Sequence, residues 1–171
     1  MIAQLRHEDG MATSKGILIN GRVHATVATG ETPLLDVLRS EVGLMATRFG
    51  CGTENCGACV VLVDGAPTYA CTLAIEAIGD KAVTTLEGLG SAENPHALQQ
   101  AFIDEQAGQC GYCLSGILIS AKALLDHNPR PTRTEIASAL DKHLCRCGAH
   151  NRFIRAIERA ATVLAGGGQQ P

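Results

Sequence analysis

Eight cysteines constrain this chain of 171 residues more than any other feature. They stand at 51, 56, 59, 71, 110, 113, 145 and 147, gathered in two groups rather than spread evenly. An even count invites a disulfide framework. No export signal is visible, because the opening MIAQLRHEDGMATSKG lacks an apolar run of the needed length, so a reducing compartment is expected. Cys145 and Cys147 flank a single residue, a poor spacing for ordinary structural bridges. Ligands to metal centres fit both facts better.

The first group reads Cys51-x4-Cys56-x2-Cys59, followed by Cys71. This is the plant-type [2Fe-2S] spacing. Four thiolates must converge within a few ångströms, and bridging sulfides want backbone N–H donors. Gly50, Gly52 and Gly57 let the loop wrap closely. A Zn(Cys)4 site also accepts four thiolates. The spacing and the glycines favour iron–sulfur over zinc without removing zinc.

The second group is QCGYC, 109–113, with CRCG, 145–148. Cys110 and Cys113 precede one apolar helical pattern, and Cys145 and Cys147 precede another. Helix starts present unsatisfied N–H groups and a positive dipole end, which favour thiolates and an anionic cluster. CGYC alone resembles a thioredoxin-type redox motif, but that motif wants a preceding strand and a parallel sheet, and helical patterns surround this one. A second zinc is the other reading. Two clusters in one small chain suggest a relay, with electrons entering at one and leaving at the other.

The rest of the chain reads as α+β. In residues 16–87, GILINGRVHATVA carries a hairpin signal at Asn20-Gly21, and ACVVLVDGAPTYAC carries another at Asp64-Gly65. TPLLDVLRSEVGL predicts a short helix with Thr32 as its cap and Pro33 at its first position. KAVTTLEGLG adds a last short strand, and GLGSAENPH, 88–96, is the expected linker. Residues 94–165 predict four helices in a small bundle, with stripes at Leu98, Ala101 and Phe102, at Ile117, Leu118, Ala121, Leu124 and Leu125, and at Phe153, Ile154, Ile157, Ala161 and Leu164. Thr132 and Glu135 form a candidate capping box. Residues 1–15 and 166–171 read as flexible tails, with Met11 an alternative start.

Several functions are disfavoured. A net charge of −3 with 3% aromatic residues and no Trp argues against a nucleic-acid partner. The longest apolar stretches are too short to span a membrane. No G-x-G-x-x-G, P-loop or H-E-x-x-H array occurs, so this chain alone carries no flavin, NAD or nucleotide fingerprint, and no residue is assigned as catalytic. His127 and His143 read as surface residues at helix ends, and Ser115 as polar filler at a helix start. His150 could hydrogen-bond near the second group, and Arg146, between two cysteines, is a surface cation or a group facing a partner.

CGTENCGACVV, QCGYC before a helix and LCRCG before another, within a match from Gly16 to about Leu164, resemble the small iron–sulfur subunit of the molybdenum hydroxylases, the xanthine oxidase and aldehyde oxidoreductase family. PHALQQAFIDEQAGQCGYC is similar to the nicotinate and isoquinoline dehydrogenase branch. The resemblance implies a β-grasp, plant-type ferredoxin-like domain followed by an all-α four-helix domain. It implies an outer [2Fe-2S] cluster on Cys51, Cys56, Cys59 and Cys71, and an inner one on Cys110, Cys113, Cys145 and Cys147. Gln109 and Cys147 would lie near the molybdenum-pterin cofactor of a large partner subunit, which hydroxylates an aldehyde or N-heterocycle. Electrons would pass on to a partner carrying FAD or haem, or to another acceptor. The expected compartment is the cytoplasm, or the periplasm by export on a partner's signal. Val60 replaces a common threonine, and His150 a common tyrosine, leaving all eight cysteines in place. The rival readings are a stand-alone two-cluster ferredoxin and a zinc-binding adaptor.

Overall fold

Two left-handed residues make each hairpin. The structure, a computed structural model, describes residues 15–167, so the tails expected at 1–15 and 166–171 lie almost wholly outside the described residues. Asn20 and Gly21 take φ of 49° and 76°, the type I′ pattern that suits strand twist, and join β1 (Lys15–Ile19) to antiparallel β2 (Arg22–Thr26). Asp64 and Gly65, at 49° and 80°, do the same between β3 (Val60–Val63) and β4 (Ala66–Tyr69). The two-residue β5 (Val83–Thr84) joins the hairpins, parallel to β1 and antiparallel to β3, giving the order β2-β1-β5-β3-β4. Asn20 fastens this seam: its amide donates to the Val83 carbonyl at 2.8 Å and its Oδ1 accepts from the Thr85 amide at 2.9 Å.

The helix in this half departs from expectation at its start. α1 (Leu34–Asp36) runs into a π-helical turn, Val37–Glu41. Pro33 is the cap residue rather than the first helical one, and the Thr32 hydroxyl lies 3.1 Å from that of Thr29 instead of capping. Tertiary structure displaces the local cap. The Leu34 and Leu35 amides donate to the carbonyls of Leu73 and Ala70 at 2.8 and 2.9 Å, so the turn containing Cys71 satisfies the helix start. Leu34, Leu35, Val37 and Leu38 then bury against Ile17, Ile19, Val61 and Val63.

β3 is buried on both faces, and this joins the two halves. Val61 and Val63 face the first core, while Val60 and Leu62 pack on Ile119 of the helix Leu114–His127. Strand alternation therefore serves two layers at once.

The second half contains α2 (Ala97–Asp104), α3 (Leu114–His127), α4 (Arg133–Leu140) and α5 (His150–Ala165). The expected stripes meet in one core, where Phe102 stacks on Phe153 with centroids 5.8 Å apart. The Thr132–Glu135 capping box opens α4. A second box opens α2: His96 Nδ1 accepts from the Leu98 amide at 3.1 Å, and Gln99 Oε1 accepts from the His96 amide at 2.8 Å. Arg155 and Arg159 pair with Glu105 and Asp104 across α2 and α5, exposed ion pairs that contribute little. Among the described residues, no helix is long and apolar enough to cross a membrane.

Candidate metal centres

The loop between the π-helical turn and β3 carries Cys51, Cys56 and Cys59, and the turn after β4 carries Cys71. The sulfurs meet in pairs. The Cys51 thiol interacts with that of Cys56, and Cys59 with that of Cys71. Gly52 and Gly57 supply left-handed turns, with φ of 70° and 73°. Glu54 adopts φ 61° without being glycine. Its carboxylate accepts a bond from the Thr72 hydroxyl at 2.5 Å, which ties the loop tip to the turn holding Cys71.

The loop divides its thiols electrostatically. The amides of Thr53 and Asn55 reach Cys51 Sγ at 3.4 and 3.2 Å. The Thr53 amide above all draws the exposed Cys51 thiol down to about 6. Burial pushes Cys59 up to about 12, with the Cys71 and Cys56 sulfurs adding to the rise. An exposed thiolate and a buried thiol thus share one loop.

The second group repeats the plan on helix ends. Cys113 stands immediately before α3, and Cys145 and Cys147 lie in the turn entering α5. Cys110 meets Cys147, and Cys113 meets Cys145. The Tyr112 amide lowers Cys110. Burial opposes ionisation of Cys145, but the Ala149 amide, the Cys113 thiol and the amides of Cys147 and Gly148 outweigh it, so Cys145 falls below the ordinary thiol range. Cys113 is pushed up to about 12 by burial and by the Cys145 sulfur. The amide donors to Cys145 belong to the turn leading into α5. Gln109, expected beside Cys147, donates from Nε2 to the Cys147 carbonyl at 3.5 Å, and both residues reach the surface.

The donor set suits two-iron units. A single zinc wants four donors about one point. Here each thiol interacts most directly with one other, Cys51 with Cys56, Cys59 with Cys71, Cys110 with Cys147 and Cys113 with Cys145. Two thiolates at each of two irons, with amides supplied around them, match this arrangement.

Three contacts that local sequence patterns do not reveal lock the two cysteine groups together. His143, expected at the surface, is only 4% exposed. Its Nε2 lies 2.7 Å from Ser120 Oγ on α3, and burial above all, then His150, lowers it to about 4, so the ring is neutral at pH 7. Ser115, expected as filler, is buried and donates to the Ala58 carbonyl at 3.3 Å. The Leu144 amide donates to the Cys56 carbonyl at 3.0 Å, joining the residue before Cys145 to a cysteine of the first group. At the surface the Tyr112 hydroxyl donates to the Phe49 carbonyl, with the Arg48 guanidinium 5.5 Å from the Tyr112 ring centroid. His150 Nε2 lies 3.2 Å from the His143 carbonyl, which bears out a hydrogen bond close to the second group. Arg146 is exposed.

Comparison with known proteins agrees with this two-part construction. Residues 17–83 match the family described as the 2Fe-2S iron-sulfur cluster binding domain, and residues 85–158 match the [2Fe-2S] binding domain. One subunit of the nicotinate dehydrogenase of Pseudomonas putida is 46% identical over 151 residues, covering 88% of this chain and 96% of that one. The crystal structure of quinoline 2-oxidoreductase from Pseudomonas putida contains a chain that superposes with a TM-score of 0.84 at 37% identity, covering 92% of this chain and 98% of its own. The aldehyde oxidoreductase of Desulfovibrio desulfuricans superposes with a TM-score of 0.86 at 38% identity, over 90% of this chain but 17% of that much longer one.

Proposed function

Because this chain belongs to the family of small [2Fe-2S] iron–sulfur subunits of the molybdenum hydroxylases, we propose that Cys51, Cys56, Cys59 and Cys71 hold one cluster and Cys110, Cys113, Cys145 and Cys147 the other. The pairwise meeting of thiols in both groups carries this assignment. Bound there, the clusters supply one-electron redox chemistry, which makes the chain an electron-transfer subunit. The chain itself positions and screens. Amides at Thr53, Asn55, Tyr112 and Ala149 offset the negative charge of the thiolates. Burial of Cys59 and Cys113 keeps water from one side of each group. The Leu144–Cys56 bond and the Ser115–Ala58 bond hold the two groups at a fixed separation.

The partner is a large molybdenum-pterin subunit that hydroxylates an N-heterocycle or an aldehyde. The names of the relatives support both substrate classes. Gln109 and the Cys147 carbonyl, bonded to one another at the surface, form the edge that faces the pterin. The final acceptor is a partner carrying FAD or haem, or another acceptor, reached from the exposed Cys51 loop, and the complex works in the cytoplasm or, exported on a partner's signal, in the periplasm. The domain limits are 16–87 and 94–165. Purification of the intact complex, followed by molybdenum analysis and assay against nicotinate, quinoline and a simple aldehyde, tests this reading. A monomer that carries both clusters without any molybdenum-bearing companion would instead identify a free two-cluster ferredoxin.

A further inference from the structure

The helix α3 and the first cysteine loop approach backbone to backbone. A Cβ on Gly116 would stand 1.9 Å from the Gly57 carbonyl oxygen, and a Cβ on Gly57 would stand 2.2 Å from His143 Nδ1. Both positions therefore exclude any side chain, because something other than a flexible side-chain tip would have to move. The imidazole of His143 occupies this gap. It touches the loop through Gly57, lies near Gly116 and reaches Ser120 on α3. Its own backbone belongs to the third partner, the segment that enters the second cysteine group. There the His143 amide donates to the Leu140 carbonyl at 2.9 Å, its carbonyl lies 3.2 Å from His150 Nε2, and the next amide donates to the Cys56 carbonyl.

The arrangement is costly by ordinary standards. His143 Nδ1 is buried and has no hydrogen-bond partner among the described residues. A leucine of similar size would leave no orphaned polar atom. What leucine would not provide is a flat, stiff ring bonded to α3 at its far end.

From this juxtaposition we infer that His143 is a positioning residue for electron transfer between the two clusters: its ring is the spacer that fixes the loop of Cys56 against the helix that starts at Cys113 and against the turn that carries Cys145. The inference rests on the proposed two-cluster assignment. Ring volume sets the gap, and the bond to Ser120 sets the ring's orientation. Opening the gap lets the Cys56–Gly57 segment relax toward α3 and changes both the distance and the angle between the two metal groups.

The test uses the full chain in its purified complex, with the wild type and H143A, H143F and S120A. Iron content and each cluster's own EPR signal come first. A wild type that shows fewer than two clusters ends the two-cluster assignment, whatever His143 does. With two clusters present, the magnetic splitting between the reduced clusters is read next, together with the rate at which reducing equivalents spread between them under limiting dithionite. The splitting falls steeply with separation, so it reports spacing rather than overall stability. The expected result is a diminished splitting and a several-fold slower transfer in H143A. H143F and S120A each keep a ring in the gap and lose its bond to Ser120, so both should retain most of the splitting and of the transfer rate. An H143A complex with both clusters, parental splitting and parental transfer overturns the inference. So does an H143F variant that loses as much as H143A, because the hydrogen bond rather than the ring would then be responsible. If H143A fails to take up iron, H143F and S120A decide alone: splittings close to the parental value in both support the spacer, and a collapsed splitting in either refutes it.

Discussion

Gly116 offers a sharp test of how the two halves meet, since two physical effects there have opposite signs. Gly116 lies in the first turn of α3 and is buried. In an exposed helix, replacing glycine by alanine stabilises by about 1 kcal/mol. Here the added methyl would lie 1.9 Å from the Gly57 carbonyl oxygen and 2.9 Å from its carbon. Reaching an ordinary contact beyond 3.0 Å requires more than 1 Å of backbone movement, and neither partner is a flexible tip. Overpacking of this kind costs about 1–3 kcal/mol, and a clash against backbone belongs at the upper end. The net effect of Gly116→Ala is therefore destabilisation by about 2 kcal/mol, the overpacking cost less the helix gain. For a chain of this size that corresponds to a fall in Tm of about 4–8 °C. Far-UV circular dichroism and loss of visible cluster absorbance, followed together at one scan rate, would measure it. Gly79, at φ 60° with open space around its Cβ, provides a contrast in which only backbone strain operates. An unchanged or raised Tm for Gly116→Ala would refute the claim of direct backbone contact between the helix and the loop.

Other outcomes follow from the same geometry. In the metal-free chain at pH 7, Cys51 should be alkylated first, being exposed and drawn down to about 6, and Cys59 and Cys113 last; peptide mapping after a short iodoacetamide pulse would show the order. The raised thiols also give a signed pH effect: Cys59 and Cys113 stay protonated in the folded apo chain at about 12 but ionise near 9 when unfolded, so their contribution is complete below pH 9 and is lost as pH rises from 9 toward 12, readable as a falling denaturant midpoint. Thr132→Ala should lower stability by about 1 kcal/mol through loss of the α4 cap. Glu135 is held below the usual carboxylate range by the Thr132 amide and hydroxyl, so the stabilising effect of the cap should weaken as pH falls through that depressed value. Thr72→Val should release the Glu54 carboxylate and loosen the Cys51–Cys56 loop, seen as faster loss of iron to a chelator with little change in the helices.

The sequence made some features readable because they are local. Asn20-Gly21 and Asp64-Gly65 announce their turns, the apolar stripes announce four helices, and the cysteine spacings announce two groups with a common purpose. The missed features depend on contacts between distant segments. Thr32 and Pro33 have the composition of a helix start, yet carbonyls from the turn around Cys71 occupy the amides. His143 stands at the end of a polar turn, and only the close approach of Gly57 and Gly116 makes that turn interior. Ser115 looks like solvent-facing filler until β3 is laid over α3. The His96 box could have been found from Gln99 three residues on, although histidine is an unusual cap.

Iron and acid-labile sulfide determined on the intact, freshly purified complex test the central claim most directly. The account predicts two irons and two sulfides for each group of four cysteines, with two distinguishable reduced EPR signals. Stoichiometric zinc, or iron confined to one group, would contradict it.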